Sequence, residues 1–426
     1  MKKGIALVLA VVLALGIFTA CTAKDKEKTD AGKTTPSATP APTPAPEPVP
    51  TMLINENDGY GNFAAALYTK TVEAERGNLL ISPASAYLAL AMTANGSDTE
   101  TREAFEQVLG MPIDSLNAAC AQLIPKLKMS SEDGGKVDIA NSIWLNETLE
   151  AREDFVNTVR ESYEAEVFQA ALDASADDVN NWVSEKTNGM IPQMLDEEPG
   201  KETAMLLLNA LYFNGVWDIP FEESLTGDRT FYREDGTTGE VPFMNNHKDG
   251  MQYIKTENAE GIKLPYNNHR QFFVALRPTD GKSVGEFAAS FDKDTLKNAM
   301  SAAESRDVNL YMPKFEQDDQ IDMSDLIANM GLGIAFDQNQ ADFSNMGTMN
   351  GYPLSVSKVL QKSAVKVDER GTEAAAATEV GMESAALPPQ YQKEPVELVL
   401  DSPYTYFIVD SGSGIPLFMG VMSDPS

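Results

Sequence analysis

Residues 204–213 form a nearly continuous apolar run in which Asn209 is the one amide. Such a run predicts a central β-strand that is buried on both faces, and a strand of this kind must lie in a layered core. A buried amide that lacks hydrogen-bond partners costs about 1–3 kcal/mol. Asn209 is therefore expected to belong to a buried polar cluster.

Helical and strand patterns surround this run in irregular order, without internal repeats. Helices are predicted at residues 63–75, 82–95, 99–109 and 177–187, with cap signals such as Ser82-Pro83 at a start and Gly110 at an end. Further strands are predicted at residues 262–265, 272–276, 308–312, 363–368, 396–400, 404–409 and 417–421. This order predicts an α+β fold and not a series of βαβ units.

Charge and cysteine content exclude several classes of protein. The formal net charge of -31 argues against nucleic-acid binding, which needs a basic surface. With Cys21 and Cys120 as the two cysteines, no disulfide framework holds the fold. Cys120 lies in the helix-like run 116–127 and is expected to be a buried small hydrophobe, with a reactive thiol as the alternative.

The N-terminus has the pattern of an export signal. Lys2 and Lys3 precede an apolar run at residues 5–18, which suits a signal peptide better than a membrane span. The run ends at Phe18-Thr19-Ala20-Cys21, which resembles the lipobox of bacterial lipoproteins except for Phe18 in place of leucine. Residues 1–20 are thus predicted to be a signal peptide and Cys21 a lipidation site; the alternative is ordinary cleavage that releases a free secreted protein.

A stem separates Cys21 from the remainder of the chain. Residues 34–50 are dominated by Pro, Ala and Thr, and proline recurs at every second position from Pro40 to Pro50. Such a composition prevents helix formation and leaves an extended spacer. Residues 21–51 are predicted to be the attachment cysteine and stem, and residues 52–426 the working domain.

Fragments of catalytic motifs occur without their partners. Ser355-Val356-Ser357-Lys358 matches the S-x-x-K of serine β-lactamases, but the companion motifs of that chemistry are missing or out of order. His247 and His269 lie in polar, turn-like segments and are expected to be surface loop residues. No clustered Cys/His pattern and no phosphate-binding loop occurs, so the sequence predicts neither a metal nor a cofactor.

Residues 369–389 have an unusual pattern, ERGTEAAAATEVGMESAALPP. By propensity alone, residues 373–380 would form an Ala-rich surface helix. With a period of two, one face carries Thr372, Ala374, Ala376, Thr378, Val380 and Met382, all small or apolar. That alternation is typical of a half-buried strand, although the β-branched and aromatic residues of a stable strand are scarce. The segment is suited to changing between loop and strand.

The same segment, together with six others, resembles the serpin family over residues 55–425. The matching segments are ERGTEAAAAT (369–378), NLLISPAS (78–85), NWVSEKTNGMI (181–191), LNALYFNGVW (208–217), MPKF (312–315), ADFS (341–344) and PLFMG (416–420). Each match alone is weak, whereas seven in the family's order are specific. The resemblance implies a serpin fold, with three β-sheets surrounded by about eight or nine helices and an exposed reactive-centre loop.

The resemblance also implies a mechanism, which is inhibition of a serine protease by covalent trapping. The protease cleaves the loop, and the freed hinge inserts as a new central strand of the main sheet before the acyl-enzyme is hydrolysed. The implied hinge comprises Glu369, Arg370, Gly371, Thr372, Glu373, Ala374, Ala375, Ala376, Ala377 and Thr378. Its small residues favour an inhibitor over a non-inhibitory serpin.

Family spacing implies a scissile bond at Ala385-Ala386, flanked by Ser384 and Leu387. Small residues there suit elastase-like or subtilisin-like proteases. The absence of Arg and Lys between Arg370 and Lys393 argues against trypsin-like targets, whereas a cysteine protease stays open.

The resemblance assigns two further sites. Ser82, Ser85, Asn209 and Gln361 match the polar cluster called the shutter, where Gln361 replaces the family's usual histidine, and Trp217 matches the breach tryptophan. Because glutamine does not titrate, the shutter is expected to be insensitive to pH near neutrality.

The sequence as a whole predicts a bacterial, cell-surface inhibitor that is monomeric and touches the membrane only through a lipid at Cys21. Two alternatives stay open: a non-inhibitory serpin that acts as a binding module, and a hydrolase that uses Ser355 and Lys358.

Overall fold

The computed structural model describes residues 59–130, 136–350, 353–372 and 394–426. These residues form eight regular helices and a ninth, kinked helical segment. The regular helices are α1 Gly59–Ala74, α2 Pro83–Ala94, α3 Thr99–Leu109, α4 Ile113–Leu127, α5 Glu153–Tyr163, α6 Ala176–Lys186, α7 Val284–Ala289 and α8 Thr295–Ser301. The kinked segment consists of α9 Ser324–Ile327, a π-helical turn Ala328–Leu332 and α10 Gly333–Phe336, with the kink at Gly331 (φ 123°).

The described residues also form eighteen strands. They are β1 Leu79–Ile81, β2 Met129–Ser130, β3 Lys136–Asn146, β4 Leu149–Ala151, β5 Glu166–Ala170, β6 Met205–Val216, β7 Gly227–Tyr232, β8 Thr238–Lys255, β9 Ala259–Pro265, β10 Gln271–Pro278, β11 Ala303–Pro313, β12 Phe315–Asp322, β13 Gly347–Met349, β14 Leu360–Val367, β15 Gly371–Thr372, β16 Val396–Val399, β17 Tyr404–Asp410 and β18 Ile415–Met422.

Three sheets result within the described part of the chain. A nine-stranded sheet has the order β1-β18-β17-β10-β9-β8-β11-β16, with β7 beside β8. A seven-stranded sheet has the order β12-β14-β15-β6-β3-β2, with β5 beside β3. Strands β4 and β13 form a third, two-stranded sheet. Strands and helices in this mixed arrangement confirm the α+β prediction.

The two large sheets enclose the main core, and α2 lies between β6 and β18. The start of α2 is fixed locally, because the Ser82 side chain accepts a hydrogen bond from the Ser85 amide and Pro83 occupies the first helical position. On the opposite face of the seven-stranded sheet, α6 covers β6 with Val179, Trp182 and Val183. β6 is therefore buried on both faces over residues 208–213, as its apolar run predicts.

The centre of the seven-stranded sheet is interrupted. β14 and β6 are joined through β15, which contributes two residues, Gly371 and Thr372. Below β15, no described residue forms a ladder between β6 and β14. We call the space between these two strands, one strand wide, the slot.

Most predicted elements are confirmed, including all four helices and the central strand. Cys120 is buried and free, and burial raises its thiol pKa to about 12, which confirms the structural interpretation. The prediction for His247 is wrong: this residue lies within β8, paired with Asn309 of β11, and not in a turn. His269 does lie in a turn, at a positive φ of 53°.

Among the described residues, no helix has the length and apolar character needed to cross a membrane.

Candidate functional site

The described part of the predicted hinge forms the top of the slot. Residues Gly371 and Thr372 pair antiparallel with Val216 and Gly215 of β6, and Thr372 also pairs with Val367 of β14. The hinge thus begins as a central strand of the sheet, in the uncut chain. Hinge residues Glu373, Ala374, Ala375, Ala376, Ala377 and Thr378 lie outside the described residues.

Glycine at position 371 is required by the close approach of β15 to β6. A Cβ atom on Gly371 would lie 1.9 Å from the carbonyl oxygen of Gly215 and 2.9 Å from the carbonyl carbon. Contacts this short with backbone atoms could be relieved only by moving a strand. Any side chain at position 371 would therefore push the hinge out of the sheet.

Thr372 is anchored by an aromatic pair. Its side chain is fully buried, and its hydroxyl lies 2.7 Å from the hydroxyl of Tyr266. Tyr266 stacks on Trp217, with ring centroids 4.7 Å apart and an interplanar angle of 10°. Burial raises the pKa of the Tyr266 phenol well above its ordinary value, so the hydroxyl stays protonated. This pair fixes the first buried side chain of the hinge strand.

Trp217, the predicted breach tryptophan, also binds the turn before the hinge. Its indole N–H donates to the carbonyl oxygen of Asp368 over 2.9 Å, and its backbone N–H donates to that of Arg370 over 2.8 Å. Trp217 therefore connects the end of β6 to the turn that leads from β14 into β15.

Glu369 closes the same end of the slot through a partly buried ion pair. Its Oε2 atom lies 2.7 Å from Nζ of Lys314, and its Oε1 atom accepts a hydrogen bond of 2.8 Å from Thr226. Burial would raise the pKa of this carboxyl group, but the bonds from Lys314 and Thr226 outweigh it, so the pKa lies below its usual value. Arg370, by contrast, is half-buried, and its guanidinium lies 3.6 Å from the carboxylate of Glu223.

The structure brings the four predicted shutter residues together beneath the sheet. Gln361 accepts from the backbone N–H of Ser82 (3.0 Å) and donates to its carbonyl oxygen (2.7 Å). The Ser82 hydroxyl donates to Leu417, and the Ser85 hydroxyl donates to the carbonyl oxygen of Asn209 over 3.3 Å. The shutter therefore ties β6 and β14 to the start of α2.

Asn141 is a shutter partner that the sequence did not reveal. It lies on β3 directly opposite Asn209, and its Oδ1 atom accepts a hydrogen bond of 2.7 Å from the Asn209 amide. Its own amide donates to the carbonyl oxygen of Tyr163 over 2.6 Å. Asn209 is thus part of a buried polar cluster, as expected.

A cavity of about 1320 Å³ lies at the lower end of the slot. Residues 205–208 of β6 and 358–360 before and within β14 form two of its walls. Ser355 and Lys358 also line it, but Lys358 lies 3.5 Å from Asp322, with which it forms an exposed ion pair. Among the described residues that line the cavity, neither companion motif of the S-x-x-K hydrolases accompanies Ser355 and Lys358.

Several predicted sites fall outside the described residues: Cys21, and the bond Ala385-Ala386 with its neighbours Ser384 and Leu387. Within the described part of the chain, no group of His, Cys, Asp and Glu side chains is arranged to hold a metal ion.

Comparisons with known proteins agree on one family. The model of the family Serpin (serine protease inhibitor) matches residues 58–425. Antichymotrypsin-2 of Bombyx mori is 30% identical over 382 residues, which cover 87% of this chain and 97% of that protein. An uncharacterized serpin-like protein of Methanosarcina mazei is 30% identical over 376 residues, covering 85% of this chain and 86% of that protein.

Solved structures show the same similarity. The native state of the thermophilic serpin tengpin is 34% identical, with a TM-score of 0.79, and the match covers 87% of this chain and 95% of that one. The latent state of tengpin gives a TM-score of 0.75 at 32% identity, covering 87% of this chain and 99% of that one.

Proposed function

Because the chain belongs to the serpin family, whose members are generally protease inhibitors, we propose that it is a suicide-substrate inhibitor that traps a serine protease covalently. One observation carries this proposal: Gly371 and Thr372 already occupy the top of the slot, in line with the space between β6 and β14. The chain that follows Thr372 needs only to continue the strand. Loop insertion of this kind is an established form of strand addition in serpins.

The register of β15 specifies how the insertion would proceed. Since Thr372 pairs with Gly215 in an antiparallel ladder, residues 373–382 would lie opposite residues 214–205 of β6. Even-numbered residues would face the core, as Thr372 does. These are the small or apolar residues of the alternating segment, so no bulky or charged side chain would oppose entry.

The length of β6 also suggests the driving force. β6 has 12 residues, Met205–Val216, and offers that length as a template for the new strand. About a dozen new ladder hydrogen bonds at roughly 1 kcal/mol net each would supply a term near 10 kcal/mol. The uncut fold is therefore metastable relative to the inserted one.

In the proposed reaction, the catalytic serine of the protease attacks the carbonyl carbon of Ala385. The peptide bond to Ala386 breaks, and the new amine leaves with residue 386. An ester then joins the protease to Ala385. Insertion of the freed hinge draws the protease along the sheet before water can hydrolyse this ester. Small residues at the bond favour elastase-like or subtilisin-like targets.

A gel assay tests the proposal. The purified protein is incubated with elastase, subtilisin, trypsin and a papain-like cysteine protease, and each mixture is then run under denaturing conditions. An adduct that survives denaturation with elastase or subtilisin is expected, and the same protease with its catalytic serine blocked should give none. Complete cleavage without any adduct would indicate a non-inhibitory serpin, and hydrolysis of ester or lactam substrates would indicate the hydrolase alternative.

We also propose that the inhibitor is exported and held at the surface of a bacterial cell through a lipid on Cys21, with residues 22–51 as the spacer. The lipobox-like sequence that ends in Cys21 supports this proposal. Cells that express the full chain are labelled with a radioactive fatty acid. Label in the wild-type protein and none in Cys21→Ser is expected; equal labelling, or labelling of neither protein, would contradict the lipid anchor.

A further inference from the structure

The cavity at the lower end of the slot extends well beyond the gap between β6 and β14. Its volume of about 1320 Å³ exceeds the roughly 300–1,000 Å³ of most small-molecule sites. Helices α2 and α3, the kinked helical segment and the chain from α10 to β13 form its walls on the core side of the sheet. The apolar side chains that line these walls are Leu90, Phe105, Ile327, Leu332, Ala335, Phe336, Phe343, Met346 and Met349. A space of this size and lining can hold an apolar chain.

The lower end of β6 leaves apolar side chains partly uncovered beside this cavity. Met205, Leu206 and Leu207 line the cavity and are only half-buried, whereas residues 208–213 of the same strand are buried. Met205 and Leu207 face the main core and Leu206 faces α6, so both faces of the strand are affected. Leu360 of β14, on the other side of the slot, is half-buried as well. An apolar ligand would be stabilised by removing this surface from water.

The opening of the cavity is acidic. Four exposed carboxylates from the segment between α6 and β6 line it: Asp196, Glu197, Glu198 and Glu202. Asp196 is held in place by a hydrogen bond of 3.0 Å from Gln320 of β12. Lys358 is the one cation among the described residues that line the cavity, and its ammonium lies 3.5 Å from Asp322, which does not line it. The charge at the opening therefore favours a cation over an anion.

We propose that this cavity binds an amphiphile with an apolar chain and a cationic head group, the chemistry of a long-chain primary amine. The chain lies against the half-buried side chains of β6 and the apolar walls beneath the sheet. The ammonium group lies among the carboxylates of residues 196–202. An anionic head group would instead meet these four carboxylates, with only the paired Lys358 to attract it.

Occupation of the cavity has a consequence for inhibition. A chain bound beside residues 205–207 of β6 fills space that the lower part of an inserted strand needs. The ligand therefore stops insertion before it is complete and converts the inhibitor into a substrate of the protease. This regulatory role rests on the proposed function, whereas the binding site itself does not.

Binding is measured by calorimetric titration of the full-length protein at neutral pH. The probes are dodecylamine, dodecanol and dodecanoate, each below the concentration at which it forms micelles. Dodecylamine is expected to bind most tightly and dodecanoate most weakly. Decylamine should bind about fifteenfold more weakly than dodecylamine, since each buried methylene is worth about a factor of four. Equal binding of the three head groups, or tighter binding of dodecanoate, would overturn the proposal.

Two variants test where the amine binds. Glu197→Gln with Glu202→Gln should weaken dodecylamine binding about fivefold, the effect of two exposed charge contacts, and leave dodecanol binding unchanged. The matched control, Asp249→Asn with Glu257→Gln, makes the same charge change at exposed residues that do not line the cavity, and it should bind as wild type. Val356→Trp fills the cavity from a half-buried position and should weaken the binding of both probes. Equal weakening by the two charge variants, or wild-type binding by a folded Val356→Trp, would place the amine elsewhere and refute the site.

The gel assay for the protease adduct tests the regulatory role. With saturating dodecylamine, wild type should be cut at the same bond and form at least tenfold less adduct. Glu197→Gln with Glu202→Gln should need about fivefold more amine for the same loss. Unchanged adduct with the amine bound, or the same amine dependence in both proteins, would overturn this role. If no adduct forms even without the amine, the proposed function fails and the regulatory role with it, whereas the calorimetric titration still decides whether the cavity binds the amine.

Discussion

Replacing Thr372 by arginine tests whether entry of the hinge limits inhibition. Thr372 is fully buried, its hydroxyl is bonded to Tyr266, and Tyr266 lies between the rings of Trp217 and Phe213 at 4.7 and 4.9 Å. These neighbours offer aromatic surface and no carboxylate. An arginine in this position would bury a charge without a partner or would keep residue 372 out of the sheet.

The size of the effect follows from two competing terms. Burying an unpaired charge costs several kcal/mol after relaxation, and we take about 4 kcal/mol. In the uncut variant the arginine therefore keeps residue 372 out of the sheet, and this residue must enter during insertion. A barrier raised by that amount slows insertion about 10³-fold, because each 1.4 kcal/mol is a factor of ten. The driving term near 10 kcal/mol is larger, so the cut variant can still insert eventually. Hydrolysis of the acyl-enzyme then precedes insertion, and the protease leaves active.

The assay measures how many inhibitor molecules are consumed for each protease molecule inactivated. Wild type should approach one, whereas Thr372→Arg should be cleaved at the same bond with almost no adduct. Thr372→Ser, which keeps the hydroxyl and adds no bulk, should behave as wild type. Undiminished adduct formation by a correctly folded Thr372→Arg would refute the reasoning that residue 372 must enter the sheet before the ester is hydrolysed.

Two further predictions concern the contacts around the slot. Lys314 and Thr226 lower the pKa of Glu369, so its ionised form stabilises the uncut fold fully above about pH 4.5, and this contribution is lost as the pH falls through the lowered pKa. In denaturant unfolding, Glu369→Gln should lack this part of the acid dependence. An unchanged dependence of stability on pH in Glu369→Gln would contradict the prediction. Gln361 does not titrate, so it should add no pH dependence to the stability of wild type between pH 5 and 7. In Gln361→His, the protonated ring would place an N–H against the backbone N–H of Ser82. The stability of this variant should therefore be full above about pH 6.5 and fall below it. Identical unfolding of Gln361→His at pH 5 and 7 would exclude a close contact of residue 361 with the Ser82 backbone.

Local patterns were sufficient for the elements and for part of the site. The run at residues 204–213 predicted a doubly covered strand, and its amide predicted a polar cluster, because burial and hydrogen-bond demand are properties of the residues themselves. Thr372 stood out as the first of the small residues that alternate with period two, whereas Gly371 was assigned only through the resemblance of residues 369–378 to the serpin hinge.

Contacts between distant segments could not be predicted in this way. Asn141 lies in β3, whose polar residues weaken the strand pattern, and only its pairing with β6 identifies it as the partner of Asn209. The segment around His247 has the composition of a turn, yet its antiparallel ladder with β11 makes it a strand. In both cases long-range pairing outweighs local propensity.

The contacts that hold the hinge all lie before the predicted scissile bond, and this position determines what they can control. Cleavage at Ala385-Ala386 leaves the ion pair of Glu369 and the Thr372–Tyr266 bond intact. They therefore contribute equally to the uncut and cut forms and cannot supply the energy of insertion. What they can do is fix the first pair of the ladder, so that the strand grows from Thr372 in a single register. The energy must come from groups that change partners on insertion, which are the edges of β6 and β14 on either side of the slot.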